Sequence, residues 1–165
     1  VTRPDSKTNA RTRFCCKDPL LLKYTDHLHR IFPEAKFILM VRDGRAVVNS
    51  LISRHVTVTT FNLSDPAQCL SRWNEVISMM HNKCVNVGPK QCLPVKYEQL
   101  VLHPRTQMQL ILQFLGLNWN EQVMHHEQLI GTKISISHLE KSSDQIALPI
   151  YMDSLTSWAK NFPKD

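Results

Sequence analysis

Arg42, Ser50 and Arg54 are the residues whose types and spacing point to binding chemistry. Guanidinium groups and a hydroxyl can together give a dianionic phosphate several charge-assisted hydrogen bonds. Ser50 and Arg54 are four residues apart, so on a helix they share one face. The spacing predicts an anion site formed by these three side chains. The alternative is that Arg42 pairs with Asp43 or another neighbour, and that Arg54 is a solvated last-turn residue favoured by the helix dipole.

A strand followed by a helix must position these side chains. The apolar run from Lys36 to Val41 has the length of a fully buried parallel strand. We expect a helix over residues 45–54, with Asp43 as its cap. Arg42 then lies at the carboxyl end of the strand, which is where open α/β sheets bind their ligands.

The remaining patterns predict five helices, a second strand and a loop. They are a helix over residues 18–32, a long helix over 66–87 capped by Asp65, a strand over 92–97, helices over 104–115, 120–130 and 151–160, and a long loop over 131–150. Strands that alternate with helices favour an α/β domain with a parallel sheet. Because two strands make a poor sheet, we expect part of the fold to be missing.

Charge is concentrated in the first third of the chain. The chain has 165 residues and a net charge of +6. Residues 1–60 hold eleven Lys and Arg against five Asp and Glu, whereas residues 61–165 hold nine of each. This asymmetry favours an anionic partner such as nucleic acid, phosphate, sulfate or an acidic peptide, and the alternative is a solvated basic surface. The length corresponds to one domain at roughly 150 residues per domain.

Several classes of site are excluded by composition. Only four glycines are present and no two are close, so the chain contains neither a Walker-type loop nor a dinucleotide-binding glycine cluster. The five cysteines form no C-x-x-C motif, and their odd number leaves a thiol free or paired outside the chain. Asn62-Leu63-Ser64 is a glycosylation sequon, a pattern that also arises by chance.

Blocks throughout the chain resemble the sulfotransferases that use 3′-phosphoadenosine 5′-phosphosulfate. They are Lys17-Asp18-Pro19, residues 37–54, Tyr97-Glu98-Gln99-Leu100 with Pro104, and residues 111–116. Within that superfamily, further blocks are similar to tyrosylprotein sulfotransferase: residues 42–46 and 52–54, His125-His126-Glu127, Ile130-Gly131, and residues 142–145. The resemblance extends from about Phe14 to Pro163.

The resemblance implies an α/β fold. It is a partial P-loop-NTPase-like sulfotransferase fold, with a parallel sheet flanked by helices and its amino-terminal part absent. We therefore expect residues 1–165 to be the carboxyl-terminal portion of a single sulfotransferase domain, with residues 1–14 as an irregular leader. The family's phosphate loop for the 5′ end, its glutamate base and its membrane anchor are expected upstream of Val1.

The resemblance also assigns roles to individual residues. Arg42, Ser50 and Arg54 match the residues that hold the 3′-phosphate, and Tyr97 matches a tyrosine that contacts the cofactor. Lys17 and Ser142 match residues that stabilise the charge developing on the leaving group. Ser142, Ser143, Asp144 and Gln145 begin a loop, ending at Tyr151, that covers the cofactor in the family. No metal is implied.

The resemblance extends to the cysteines, and the chain departs from the family at a few positions. Cys84 and Cys92 match a family disulfide, and Cys15 matches a cysteine whose partner lies upstream. Cys16 and Cys69 have no family role, and we expect both to be small buried residues. Ser157 replaces a family lysine before Trp158, with Lys160 one turn later as a substitute, and the loop over residues 132–135 is about two residues shorter. We expect Glu98 to be structural.

The function implied by the resemblance is transfer of a sulfuryl group to tyrosine hydroxyls of secreted or membrane proteins. This segment alone is expected to be inactive. It also implies acidic tyrosine-containing protein substrates, a homodimer, and a place in the lumen of the Golgi. One alternative is a sulfotransferase for carbohydrate or small-molecule acceptors. Another is a non-catalytic nucleic-acid-binding module, but the basic segment lacks the interleaved aromatic residues that such a module uses.

Overall fold

The computed structural model describes residues 13–136, 146–150 and 152–160. Its helices are α1 (Thr25–Ile31), α2 (Gly44–Ser53), α3 (Pro66–Val87), α4 (Tyr97–Leu102) and α5 (Pro104–Leu115), and its strands are β1 (Phe37–Val41) and β2 (Cys92–Lys96). Short 3₁₀ helices span Leu21–Tyr24, Glu121–Met124, His126–Leu129, Asp153–Leu155 and Ser157–Lys160. Residues 1–12 of the predicted leader, and Ser142, Ser143, Asp144 and Gln145, lie outside the described residues.

The two strands pair in parallel, as the sequence predicts. Phe37 is opposite Cys92 and Val41 is opposite Lys96, and the residues between them pair one to one. Phe37 and Leu39 are buried, whereas Met40 is 44% exposed. The shared register brings the carboxyl ends of both strands to one edge of the sheet. Helices and this parallel pair make the chain a helix-rich α/β structure.

Helix α3 packs on the sheet and contributes Val76, Met80 and Cys84 to the core cluster. Asp65 caps it by accepting from the Gln68 backbone N–H at 3.0 Å, and Pro66 occupies its first turn, as predicted. Its inward positions then recur at helical spacing and pack on the strands. The core cluster contains Phe37, Leu39, Val76, Met80, Cys84 and Cys92.

The predicted disulfide is present at the end of α3. Cys84 and Cys92 are bonded, with their Cα atoms 5.3 Å apart, and both are buried. Gly88 ends the helix between them at φ +87°, a left-handed conformation that glycine adopts without strain. The bond therefore clamps the turn that leads from α3 into β2.

Helices α2 and α3 approach closely at Gly44. A Cβ atom placed on Gly44 would lie 2.5 Å from the nearest ring atom of Trp73. The first turn of α2 therefore packs its backbone directly against an indole ring, which only a residue without a side chain permits. This contact fixes where α2 begins relative to the sheet.

The structure corrects several predicted elements. The second strand ends at Lys96, and Tyr97 begins the short helix α4, which the sequence did not indicate. The predicted helices over 120–130 and 151–160 are pairs of short 3₁₀ helices, and none of their described residues is fully buried. Without a buried apolar stripe, little tertiary packing is available to extend them. Cys69 is fully buried as expected, but Cys16 is exposed, because it lies in an exposed irregular stretch.

Candidate functional site

Arg42 and Tyr97 meet at the carboxyl edge of the parallel pair. Each follows the last residue of its strand, so the register places them side by side. The guanidinium carbon of Arg42 lies 4.7 Å from the centroid of the Tyr97 ring. This distance is typical of a cation–π contact, which orients the planar guanidinium over the ring. Both side chains are partly exposed.

Asp43 and Glu98 hold the turn between β1 and α2. The Asp43 backbone N–H donates to Glu98 Oε1 at 2.8 Å, which confirms a structural role for Glu98. Asp43 Oδ1 accepts from the Arg45 backbone N–H at 2.9 Å, so Asp43 caps α2 as predicted. The turn that carries Arg42 is therefore fixed from both sides by carboxylates.

Arg45 forms an ion pair with Asp43. Its Nε and Nη2 lie 3.1 and 2.7 Å from the two carboxylate oxygens. The side-chain hydrogen bond from Arg45 is the main cause that lowers the pKa of Asp43 from its ordinary value. The same pair raises the pKa of Arg45. Arg45 is not among the site residues predicted from the sequence, although its position two residues after a capping acid is a signal for this pair.

Ser50 and Arg54 lie at the far end of α2. Helix α2 ends at Ser53, and the Arg54 backbone N–H donates to the Ser50 carbonyl at 3.2 Å. Both residues are partly buried, and their four-residue spacing puts them on one helical face. Ser50 and Arg54 therefore share one face at the carboxyl end of α2, as the sequence predicts.

Lys17 lies before the helical part of the chain. It is exposed, in an irregular stretch that precedes the 3₁₀ helix Leu21–Tyr24. Next to it, the Asp18 side chain accepts from the Leu20 backbone N–H at 2.7 Å, in the turn before that helix, which itself has no side-chain cap. The Asp18 hydrogen bond therefore fixes the turn that directly follows Lys17.

A cavity of about 190 Å³ opens beside Tyr97. It is lined by Tyr97, Leu100 and Val101 of α4, by His126, and by residues 148–150. Its lining is mostly apolar, with polar groups at Tyr97 and His126. His126 is not among the site residues predicted from the sequence.

Trp158 connects the carboxyl-terminal segment to the turn after β1. The Arg45 guanidinium lies 4.8 Å from the Trp158 ring centroid, and Trp158 Nε1 donates to the Leu155 carbonyl at 2.7 Å. The sequence indicates Trp158 only through its match to a family tryptophan. In the structure its ring packs against the same arginine that holds Asp43.

Among the described residues, no three His, Cys, Asp or Glu side chains are grouped as a metal site. Within that same part of the chain, no helix is both long and apolar enough to cross a membrane.

The parallel strands and the helices that surround them define an α/β domain. Sequence comparison agrees with that class. The profile of the sulfotransferase family matches residues 4–121, which is most of the chain. The chain belongs to the sulfotransferase family.

Curated relatives extend the similarity to the carboxyl-terminal part. The chain is 52% identical over 153 residues to protein-tyrosine sulfotransferase A of Caenorhabditis elegans, which covers 93% of this chain and 40% of the relative. It is 48% identical to protein-tyrosine sulfotransferase 2 of Gallus gallus and to protein-tyrosine sulfotransferase 1 of Homo sapiens, each over 92% of this chain and 41% of the relative. The chain thus spans about two fifths of the length of these relatives.

A solved structure supports the fold. The sulfotransferase domain from the curacin biosynthetic pathway superposes with a TM-score of 0.61, covering 89% of this chain and 54% of that domain. The two sequences are only 17% identical. The likeness therefore establishes the fold, which is the sulfotransferase fold expected from the sequence.

Proposed function

We propose that the protein containing this chain transfers a sulfuryl group from 3′-phosphoadenosine 5′-phosphosulfate to tyrosine hydroxyls of proteins. The observation that carries the proposal is the 48–52% identity to protein-tyrosine sulfotransferases over 92–93% of the chain. In this reaction the tyrosine oxygen forms a bond to sulfur while the bond from sulfur to the phosphate oxygen breaks. The phenolic proton passes to a base, which the family resemblance places in a glutamate upstream of Val1.

Within this proposal the chain supplies the 3′-phosphate side of the donor site. Arg42, Ser50 and Arg54 hold the 3′-phosphate, and Tyr97 contacts the nucleotide. The support is the position of Arg42 at the carboxyl edge of the parallel strands and its contact with the Tyr97 ring. A guanidinium that is already oriented loses less side-chain entropy when it binds a phosphate. Ser142, Ser143, Asp144 and Gln145 are proposed to cover the donor.

Lys17 and Ser142 are proposed to act on the leaving group. As the bond from sulfur to the bridging oxygen breaks, negative charge grows on that oxygen. A lysine ammonium and a serine hydroxyl there stabilise the transition state more than the ground state, and so they lower the barrier. The disulfide between Cys84 and Cys92 fits a lumenal, oxidising compartment, and we propose the Golgi lumen as the site of action.

The partners in this proposal follow the family. They are acidic tyrosine-containing proteins, and a second copy of the enzyme as a homodimer. The excess of basic residues in the first third of the chain is compatible with an acidic substrate. The membrane anchor, the phosphate loop for the 5′ end and the base are proposed to lie upstream. The 165 residues alone are proposed to be inactive.

The test is a sulfation assay with the protein expressed from its full coding sequence. Sulfate-labelled donor is incubated with an acidic tyrosine peptide, with the same peptide carrying Phe in place of Tyr, and with a carbohydrate acceptor. The proposal expects label in the tyrosine peptide alone. Label in the carbohydrate alone, or in none of the three acceptors, would overturn it. The isolated 165 residues are assayed in parallel, and sulfation by them would contradict the proposed division of the site.

A further inference from the structure

His126 connects two parts of the chain that lie far apart in sequence. Its Nε2 is 3.1 Å from the carbonyl oxygen of Ile146. Since a carbonyl oxygen only accepts, Nε2 carries the proton and donates it. Ile146 begins the described segment 146–150, whose residues Leu148, Pro149 and Ile150 form one wall of the cavity beside Tyr97.

Glu127 lies beside the other nitrogen of the same ring. Its Oε2 is 3.7 Å from His126 Nδ1, and its Oε1 is 3.8 Å from His125 Nδ1. The Glu127 side chain is 18% exposed, and Oε2 is buried with no hydrogen-bond partner among the described residues. A distance of 3.7 Å is too long for a hydrogen bond, but it is short enough for the charge to orient the ring.

A buried carboxylate oxygen without a hydrogen bond is unfavourable for folding. Here the carboxylate faces Nδ1, and Nε2 points to the Ile146 carbonyl. The arrangement favours one direction of the imidazole ring.

The bond from His126 has a consequence for Tyr97. The cavity lies between α4, which carries Tyr97, and the wall formed by residues 148–150. His126 lines the same cavity and holds the start of that wall. On the other side, the Tyr97 ring is in contact with Arg42. The spacing between Tyr97 and the wall therefore depends on the hydrogen bond that His126 donates.

We propose that His126 is a positioning residue for the nucleotide donor. By donating from Nε2 to the Ile146 carbonyl, it fixes the distance between Tyr97 and the wall at residues 148–150. The cavity between them then keeps the width that the nucleotide needs. It acts through the wall and touches no reacting atom. This inference rests on the proposed function, because it assumes that the donor binds beside Tyr97.

The test compares two substitutions in the protein expressed from its full coding sequence. His126→Phe keeps a ring but removes the donor, whereas His126→Gln keeps an N–H donor at the place of Nε2. His125→Phe is the matched control, since His125 is the exposed neighbour and, in the part of the chain that the structure describes, makes no hydrogen bond to residues 146–150. The measurements are the KM for the sulfate donor, kcat, and the Kd of adenosine 3′,5′-bisphosphate by calorimetry.

We expect His126→Phe to raise both KM for the donor and Kd of the bisphosphate by about fivefold, the size of one lost hydrogen bond, with kcat nearly unchanged. His126→Gln and His125→Phe should stay close to the wild type. Equal losses in His126→Phe and His126→Gln, or a change in kcat alone, would overturn the inference. If the wild type binds the bisphosphate and His126→Phe binds it equally well, only this inference fails. If the wild type binds no bisphosphate, the proposed function fails with it.

A different part of the molecule carries a second inference independently. Asn62 of the sequon is exposed and lies in the loop before α3. Its backbone N–H donates to Gln68 Oε1 at 3.0 Å, and its carbonyl accepts from the Asp65 N–H at 2.9 Å. Its Oδ1 accepts from the Ser64 N–H at 3.1 Å. The start of α3 thus fixes the loop, and no hydrogen bond from Nδ2 is found among the described residues.

The geometry points to Asn62 as the acceptor of an N-linked glycan. A glycan on Nδ2 breaks none of the bonds that hold the loop, because all of them use other atoms of Asn62. The compartment in which such glycans are attached is also the one that forms disulfides, and this chain contains a buried disulfide. No other N-x-S/T sequence occurs in the chain.

The test is peptide mass spectrometry of the full protein secreted or retained by a eukaryotic cell. After release of N-glycans by the glycosidase that converts the acceptor Asn to Asp, that conversion is expected at residue 62. Asn62→Gln and Ser64→Ala should each abolish the modification, whereas Asn74→Gln, on the exposed surface of α3, should not. An unmodified Asn62 in protein purified from such cells would overturn the inference, whether or not the protein is a sulfotransferase.

Discussion

The α/β region over residues 37–115 and the carboxyl-terminal segment over the described residues from 117 to 160 are held together differently. Apart from Thr25, all fully buried residues of the described chain lie in the first of these regions. The second region contains short 3₁₀ helices and has no fully buried residue among those described. Its side-chain contacts include those of Arg105 with Glu121, Arg45 with Trp158, and His126 with Ile146.

This difference predicts that the two regions contribute differently to the free energy of unfolding and to the positioning of the site residues. Burial of apolar side chains contributes roughly 1.5–3 kcal/mol for each large residue, whereas an exposed ion pair contributes about 0–1 kcal/mol. We therefore expect the α/β region to set the stability of the fold. The carboxyl-terminal segment is expected to affect mainly the shape of the edge where Arg42 and Tyr97 meet.

Arg42→Ala should give the largest effect, and it tests the function of the α/β region directly. Loss of one or more charge-assisted bonds to the 3′-phosphate, at about 1.5–3 kcal/mol each, predicts a Kd for adenosine 3′,5′-bisphosphate that is about 10- to 100-fold higher. Calorimetry on the full protein measures it. Arg72→Ala, on the surface of α3, is the control and should bind normally. An unchanged affinity of Arg42→Ala would show that the proposed phosphate site is wrong.

Removal of the disulfide tests how far the α/β region depends on its covalent clamp. The double variant Cys84→Ala/Cys92→Ala should lower the free energy of unfolding by about 2–3 kcal/mol, because the unfolded chain gains freedom in the opened loop. Denaturant unfolding under oxidising conditions measures the loss. Cys16→Ser removes an exposed free thiol and should leave the stability unchanged. Equal stabilities of the wild type and the double variant would contradict the expectation.

Gly44→Ala tests the packing between α2 and α3. Alanine is normally the better helix residue by about 1 kcal/mol, but here its Cβ would lie 2.5 Å from the Trp73 ring. We expect the clash to prevail and to destabilise the protein by about 1–3 kcal/mol. The smaller Leu side chain should relieve the clash. Gly44→Ala should therefore cost less stability when it is added to Trp73→Leu than when it is added to the wild type. A Gly44→Ala variant more stable than the wild type would refute the close contact.

The Arg105–Glu121 pair, which connects α5 to the carboxyl-terminal segment, should give the smallest effect. The hydrogen bonds from Arg105 and from Trp119 Nε1 lower the pKa of Glu121 to about 2. The folded pKa lies below the unfolded one, so the stabilisation is present above about pH 4.5 and is lost as the pH falls towards about 2. Both side chains are exposed, so salt screens the effect.

The measurement for this pair is urea unfolding at mildly acidic and strongly acidic pH, at low and high salt. Glu121→Gln should show a smaller loss of stability on acidification than the wild type, and high salt should remove the difference. Glu75→Gln, on an exposed pair within α3, is the matched control. If Glu121→Gln and the wild type lose the same stability on acidification at low salt, this ion pair does not contribute to the pH dependence.

Local sequence signals predicted the regular elements well where they carried buried residues. The strand over Phe37–Val41 and the long helix from Pro66 are found within a residue of their predicted bounds, because a cap, a proline or an apolar run marks each end. The helix predicted over residues 120–130 failed, because no fully buried side chains support it. Helix α4 was missed because its six residues carry no local start signal.

The sequence by itself determined the family, the spacing of Arg42, Ser50 and Arg54, and the cap at Asp43. These depend on residue types within a few positions of each other, which one chain segment contains completely. Tertiary structure decided that Tyr97 lies under Arg42, that Gly44 faces Trp73, and that His126 bonds to Ile146. Each of these contacts joins separate segments, and only the register of the strands and the packing of the helices bring such segments together.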